Sequence, residues 1–176
     1  MASDVAVAPR SSRATLLRQT LIILVTFVVV ALVCAWIWHA WWAPAPTAVV
    51  VNHKPYYEPD EEFRGTGLYM LIAGVAGLLL GLLFTFLFEN DEVATLATVV
   101  AGGVVAGLLM AWVGHLLGPE NAAEVARHTA DFEKIDGDLH AGPLAAYVAF
   151  PGGAVLGSVA VLVTFTRRRS QTEPTG

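Results

Sequence analysis

The chain has 176 residues, of which 56% are hydrophobic and 14% are charged, and its 15 acidic and 10 basic side chains give a formal net charge of −5. A soluble domain of this length cannot bury so many uninterrupted apolar residues, so the composition excludes an ordinary soluble fold and predicts an all-α membrane protein. The acidic balance, without a basic cluster mixed with aromatic residues, predicts no nucleic-acid partner. A single cysteine, Cys34, excludes an internal disulfide.

Residues 1–18 carry three arginines among small and polar residues, which predicts a disordered basic leader. The apolar run at 20–42 is long enough to cross a bilayer. A secretory signal peptide is the competing interpretation, but the run is too long and tryptophans stand where a signal peptidase needs small residues. We therefore predict a retained first membrane helix. Its small-residue face, at Ala31 and Ala35, is weaker than those of the later spans, which favours a peripheral place in the bundle.

The first loop, at 43–64, begins with Pro44 and Pro46, which end the preceding helix. Ala48–Val51 predicts one short strand because its residues are β-branched or small. Four of the five residues at 58–62 are carboxylates, which could bind a divalent cation. Such a run is more often a solvated loop, so the cation site is a hypothesis.

Two apolar runs, at 68–88 and 93–117, form a central hairpin around a short acidic turn at 89–92. Each run offers about twenty residues without a charge, the length that a helix needs to cross a hydrocarbon core about 30 Å thick. A fourth apolar run, at 144–165, predicts the last span. The four spans define a transmembrane domain at 19–166.

Glycines recur on one face of each of the last three spans, partly at GxxxG spacing. No hydrophobic force drives helices together in lipid, so contact depends on close backbone approach, which glycine permits. These glycines are therefore predicted to pack helices. They are Gly74, Gly77, Gly81, Gly103, Gly107, Gly114, Gly153 and Gly157.

The second loop, between the third and fourth spans, is predicted to contain a short amphipathic helix. Pro119 suits its first turn, and apolar residues recur at helical spacing from Ala122 to Phe132. Such a helix is expected to lie flat on the membrane or across the mouth of the bundle.

The distribution of charge predicts the orientation. Groups of arginines at 10–18 and in the basic tail at 167–176 flank the first and last spans, so the positive-inside rule places both termini in the cytoplasm. Aromatic residues cluster at the opposite ends of the helices, which agrees. The two longer loops then lie outside, where their excess of carboxylates predicts an anionic face.

The sequence contains no catalytic motif, so the protein is predicted not to be an enzyme and to need no cofactor. His39 and His115 are weak candidates for a metal or haem site between the first and third spans. Their spacing matches no metal motif, and an interfacial histidine beside tryptophans is more often an amphipathic side chain at the headgroup boundary. The spans hold no carboxylate, lysine or arginine, which argues against an ion-coupled carrier.

A resemblance to a known family rests on the stretches GLLLGL at 77–82 and AWVGHLLGP at 111–119. Over residues 43–164 the chain resembles a family of uncharacterised four-helix membrane proteins from actinobacteria. The resemblance implies four spans and a bacterial plasma membrane. That family has no assigned activity, so the resemblance implies no functional residue.

These observations lead to one hypothesis and two alternatives. The hypothesis is an accessory or scaffold subunit that contacts lipid and packs, through its small-residue faces, against its own helices and those of other subunits or of further copies. The first alternative is an oligomeric small-solute pore or exporter lined by the few threonines of the spans. The weaker one is a metal- or haem-binding redox subunit.

Overall fold

The computed structural model describes residues 13–88 and 92–171. Within these ranges the chain is mostly helical, with five helices and three short strands. The start of the predicted leader, the acidic turn at 89–91 and the end of the tail lie outside the described residues. The elements in chain order are α1 (Arg13–Trp42), β1 (Thr47–Val51), β2 (Lys54–Tyr56), α2 (Pro59–Leu87), α3 (Glu92–Leu117), α4 (Ala122–His128), β3 (Lys134–Asp136) and α5 (Pro143–Gln171).

The long helices correspond to the predicted spans, although in the described residues three of them, and not four, reach the length and apolarity of a candidate span. Helices α1, α2 and α3 each contain a stretch long and apolar enough to cross a membrane, and α5 contains a shorter apolar helix, Val148–Thr164. A segment in hydrocarbon must satisfy its backbone hydrogen bonds internally, which a lone segment achieves only as a helix. The prediction of a mostly helical protein with long apolar helices is confirmed.

Two helices begin earlier than predicted. Helix α1 begins at Arg13, so the described part of the predicted disordered leader, residues 13–18, is helical. Its sequence there, RATLLR, contains good helix formers and no glycine or proline. Helix α2 begins at Pro59, nine residues before its predicted start, since proline suits the first turn of a helix. The hypothesis of a cation site at 58–62 concerns mainly the side chains at 59–62, which lie outside the part of the chain that the structure describes.

Helices α1, α2, α3 and α5 pack together as a bundle. Helix α5 packs against α2 and α3, while α1 packs against α3 and α2. Helix α1 is the least buried of the three candidate spans, which agrees with the predicted peripheral place, but one face of this helix, from Ile23 to Trp42, lies in the common core. The largest fully buried side chains of that core are Ile23, Phe27, Trp38, Tyr69 and Phe150.

One end of the bundle carries a small folded unit, which we call the cap and which consists of β1, β2, α4 and β3. Strand β1 lies in the middle of a three-stranded sheet and pairs antiparallel with both β2 and β3. Asn52 and His53 form the two-residue turn between β1 and β2, with φ of 53° and 57°, as a type I′ hairpin requires. The prediction of an all-α fold therefore needs a correction, because only the strand at Ala48–Val51 was expected.

Helix α4 corresponds to the amphipathic helix predicted in the second loop, but its bounds differ from the predicted ones. It begins after Asn121, whose side chain accepts hydrogen bonds from the backbone N–H groups of Ala123 (3.0 Å) and Glu124 (3.3 Å). Pro119 therefore precedes the helix instead of forming its first turn. The buried face of α4 packs on the sheet of the cap, and Phe132 lies beyond the helix in a turn with a φ of 73°.

Candidate functional site

The closest helix contact is the seam between α2 and α5, and it is built from glycine. A Cβ atom at Gly77 would collide with the backbone of Phe150, and one at Gly81 with the backbone of Ala154. On the opposite side, a Cβ at Gly153 would collide with the carbonyl of Gly74. The seam therefore depends on bare backbone on both helices, the arrangement that supplies dispersion contacts between helices in lipid.

A buried hydrogen bond closes the same seam at the end away from the cap. The Thr85 hydroxyl donates to Ser158 Oγ at 2.8 Å, and Ser158 Oγ lies 3.5 Å from the carbonyl of Gly81. Other threonines, such as Thr26 and Thr98, donate to carbonyls of their own helices. These hydroxyls already have hydrogen-bond partners within the chain, which gives no support to a pore lined by threonines.

The predicted glycines of α3 lie against three different helices. Gly103 faces Pro151 of α5, and Gly114 faces the ring of Trp38 of α1. The carbonyl of Gly107 accepts a hydrogen bond of 2.7 Å from the Tyr69 hydroxyl of α2. The small-residue face of α3 is therefore occupied by neighbours within the same chain.

One part of the small-residue surface stays open. A Cβ at Gly152 would have Val148 as its only near neighbour, at 4.0 Å, and one at Gly74 only the carbonyl of Ala149, also at 4.0 Å. These two glycines line an open apolar groove of about 400 Å³ on the flank of α2 and α5, which we call the α2–α5 groove. The rest of its lining consists of Met70, Leu71, Val75, Leu78, Ala149, Gly153 and Leu156.

The α2–α5 groove adjoins a second apolar cavity toward the cap. That cavity has a volume of about 530 Å³ and shares Met70 with the groove. Thr66 and Gly142 lie at the end of this cavity nearer the cap, where the Gly142 N–H donates to the Thr66 hydroxyl at 3.1 Å. The open surface thus continues along much of the α2 and α5 flank.

The two histidines predicted as weak metal candidates are not part of a ligand cluster. His115 Nδ1 lies 3.1 Å from the carbonyl of Leu139, and His39 Nδ1 is buried without a hydrogen-bond partner. No group of three or more histidine, cysteine, aspartate or glutamate side chains in the described part of the chain is arranged to hold a metal ion. The metal or haem hypothesis draws no support from these residues.

A polar cluster joins the two loops beneath the cap. The Tyr57 hydroxyl donates to Asp138 Oδ1 at 3.3 Å, and His140 Nδ1 lies 3.4 Å from Asp138 Oδ2. The hydrogen bond from His140 holds the pKa of the Asp138 carboxyl below its ordinary value, against the opposing effect of burial. This cluster ties the first loop to the approach of α5.

Sequence reasoning identified Gly74 as a packing glycine but missed Gly152, the other glycine of the open surface. Gly152 stands beside Gly153 but projects from a different side of α5, outside the predicted stripe. A search for glycines on every helical face, and not only on the most regular one, would have included it.

Three long apolar helices, with a shorter one beside them, define the class as a candidate multi-pass membrane protein. Comparison with known proteins finds no matching family model, no similar curated protein and no similar solved structure. The resemblance to the four-helix actinobacterial family stays a prediction.

Proposed function

We propose that the protein is a non-enzymatic, four-span subunit of the bacterial plasma membrane that acts as an accessory or scaffold component. Its partner contributes an apolar transmembrane helix, which docks in the α2–α5 groove. The observation that carries this proposal is the open space that a Cβ atom would meet at Gly74 and Gly152, although the carbonyl of Gly74 itself packs against Gly153 in the seam. The proposal therefore rests on one open surface and not on an excess of small-residue faces.

The shape of the groove favours a helix as its occupant. Its floor is glycine and alanine, and exposed large side chains, Leu71 and Leu156, stand at its edges. Ridges of a second helix fit between such side chains and approach the floor closely. Lipid tails are as apolar as leucine, so association here depends on this close fit.

A photocrosslinking residue placed at Gly152 should capture a discrete membrane polypeptide in native membranes, because this position lies on the groove floor. The same residue at Val105, which is exposed on α3, serves as the matched control and should capture lipid only. The mass of the product separates another subunit from a second copy. Lipid adducts alone from both positions would contradict the proposal.

The substitution Gly152→Leu completes this test. It should weaken partner binding by about fivefold to a hundredfold, because overpacking a close contact costs about 1–3 kcal/mol. The isolated protein should keep its unfolding free energy within about 0.5 kcal/mol, since the new side chain points into open space.

We further propose that both termini are cytoplasmic and that the cap lies outside. Arg13 and Arg18 are exposed at the end of α1 away from the cap, which supports this orientation through the positive-inside rule. Trp36, Trp41 and Trp112 are exposed near the cap, as expected of an aromatic belt at the outer interface.

This orientation can be measured by labelling in a Cys34→Ala background. A cysteine at Ala130, exposed in the cap, should react with a membrane-impermeant maleimide in intact cells. A cysteine at Ala14, exposed at the opposite end, should react only after permeabilisation. The reverse pattern would overturn the proposed topology.

A further inference from the structure

A cavity in the cap, separate from the α2–α5 groove, has the lining of an anion site. It has a volume of about 520 Å³ and lies between the β1–β2 turn and α4. Small-molecule sites in proteins typically measure about 300–1,000 Å³. Its lining residues are Asn52, His53, Lys54, Pro55, Ala123 and Arg127.

The charge of this cavity differs from that of its surroundings. The two predicted outer loops, at 43–64 and 118–142, which contain the cap and the first turns of α2, carry ten of the fifteen carboxylates of the chain but only four lysines or arginines. Two of those four cations, Lys54 and Arg127, line the cavity. A cationic pocket in an otherwise anionic loop region concentrates anions locally.

The walls of the cavity are fixed by contacts inside the cap. The backbone N–H of His53 donates to Asp131 Oδ1 at 3.1 Å, which attaches the β1–β2 turn to the segment after α4. Behind the other wall, Ala122 and Ala126 of α4 pack on the buried face of the sheet. A site whose walls are already in place loses less entropy when a ligand binds.

The Glu124 carboxylate pairs with Arg127, but the pair is exposed and easily displaced. Glu124 Oε2 accepts a hydrogen bond of 3.1 Å from Arg127 Nη1, but the two side chains are 62% and 65% exposed. An exposed pair of this kind contributes about 0–1 kcal/mol, so an incoming anion can replace Glu124. Asp131 uses Oδ1 for the His53 N–H.

We propose that the cap cavity binds a compact phosphate or carboxylate group. The Arg127 guanidinium presents a planar pair of donors that suits either group, Lys54 adds a point charge, and the Asn52 amide can donate a further hydrogen bond. The group comes either from a soluble anion or from the headgroup of an anionic phospholipid. This site does not depend on the proposed partner helix.

The test uses the full chain in nanodiscs of zwitterionic lipid, with inorganic phosphate as the soluble probe. Titration should produce saturable shifts of the backbone amide signals of Lys54 and Arg127 in NMR spectra. A second arm compares acylation of Lys54 in nanodiscs with and without phosphatidylglycerol. Phosphate-dependent shifts support a soluble anion as the source, and protection of Lys54 only by phosphatidylglycerol supports a lipid headgroup.

Charge-neutralising variants distinguish a specific binding site from general electrostatic attraction to the cap. Lys54→Gln and Arg127→Gln should each weaken binding about tenfold or more, while Glu124→Gln should strengthen it a few-fold by freeing Arg127. Lys134→Gln is the matched control, because Lys134 is a cap cation outside the cavity lining. An equal loss with Lys134→Gln, or no saturable response in either arm, would overturn the proposal.

Discussion

Replacing Gly77 with leucine should prevent α2 and α5 from packing as they do in the native bundle. A Cβ at this position would collide with the Phe150 carbonyl, and that backbone lies inside a helix and cannot move aside alone. Adding one methyl to a well-packed contact typically costs about 1–3 kcal/mol, so Gly77→Ala should already destabilise by that amount and Gly77→Leu by more. Unfolding free energies measured in mild detergent test both values.

Gly152→Ala and Gly152→Leu are the matched controls for this prediction. Gly152 lies on the same pair of helices, but its Cβ would meet open space instead of backbone. Both controls should unfold within about 0.5 kcal/mol of the parent protein. Equal losses at both positions would show that the close seam is not the cause of the loss, and would contradict the packing of α2 on α5.

The positions of these glycines also show which part of the helix packing could be predicted from the periodicity of the sequence. At 3.6 residues per turn, it identified the helix faces that carry Gly77, Gly81, Gly153 and Gly157. It could not predict that α2 would make its closest contact with α5 instead of α3, its neighbour in the hairpin. Glycine faces are chemically alike, so the choice of partner depends on the fit of whole helices.

For a related reason, the sequence did not indicate which face of α1 is buried. Its buried residues recur at intervals of three or four, from Ile23 through Phe27 and Ala31 to Trp38 and Trp42. In a soluble helix, polar residues between them would have marked the exposed side. In α1 the intervening residues are apolar as well, so composition alone does not distinguish the core face from the lipid face.

The sheet of the cap could be predicted only in part, because its strands come from segments that are far apart in the sequence. Strand β1 was predicted from its β-branched residues, but β3 has three residues, of which only Ile135 is apolar. A strand this short has no period-2 pattern to recognise. It forms because β1 offers a free edge, and the pairing of Ala48 with Ile135 joins two loops that lie far apart in sequence.

Trp38→Ala should produce the second large loss of stability, about 3–5 kcal/mol, as expected for removing a fully buried tryptophan. The indole packs edge-on against Tyr69 at a centroid distance of 5.1 Å. Its Nε1 donates to the carbonyl of Gly65 at 2.9 Å, so the substitution also leaves a buried acceptor without that donor. Unfolding followed by circular dichroism measures the loss without depending on tryptophan fluorescence.

Two further substitutions separate packing from hydrogen bonding at this position. Trp38→Phe keeps an aromatic ring but removes the donor to Gly65, so its cost should fall between those of the parent and Trp38→Ala. Trp36→Ala removes a tryptophan that is 64% exposed on the same helix and should change stability by less than about 0.5 kcal/mol. If Trp36→Ala cost as much as Trp38→Ala, the core face of α1 would lie on its other side, and α1 would contact α3 through different residues.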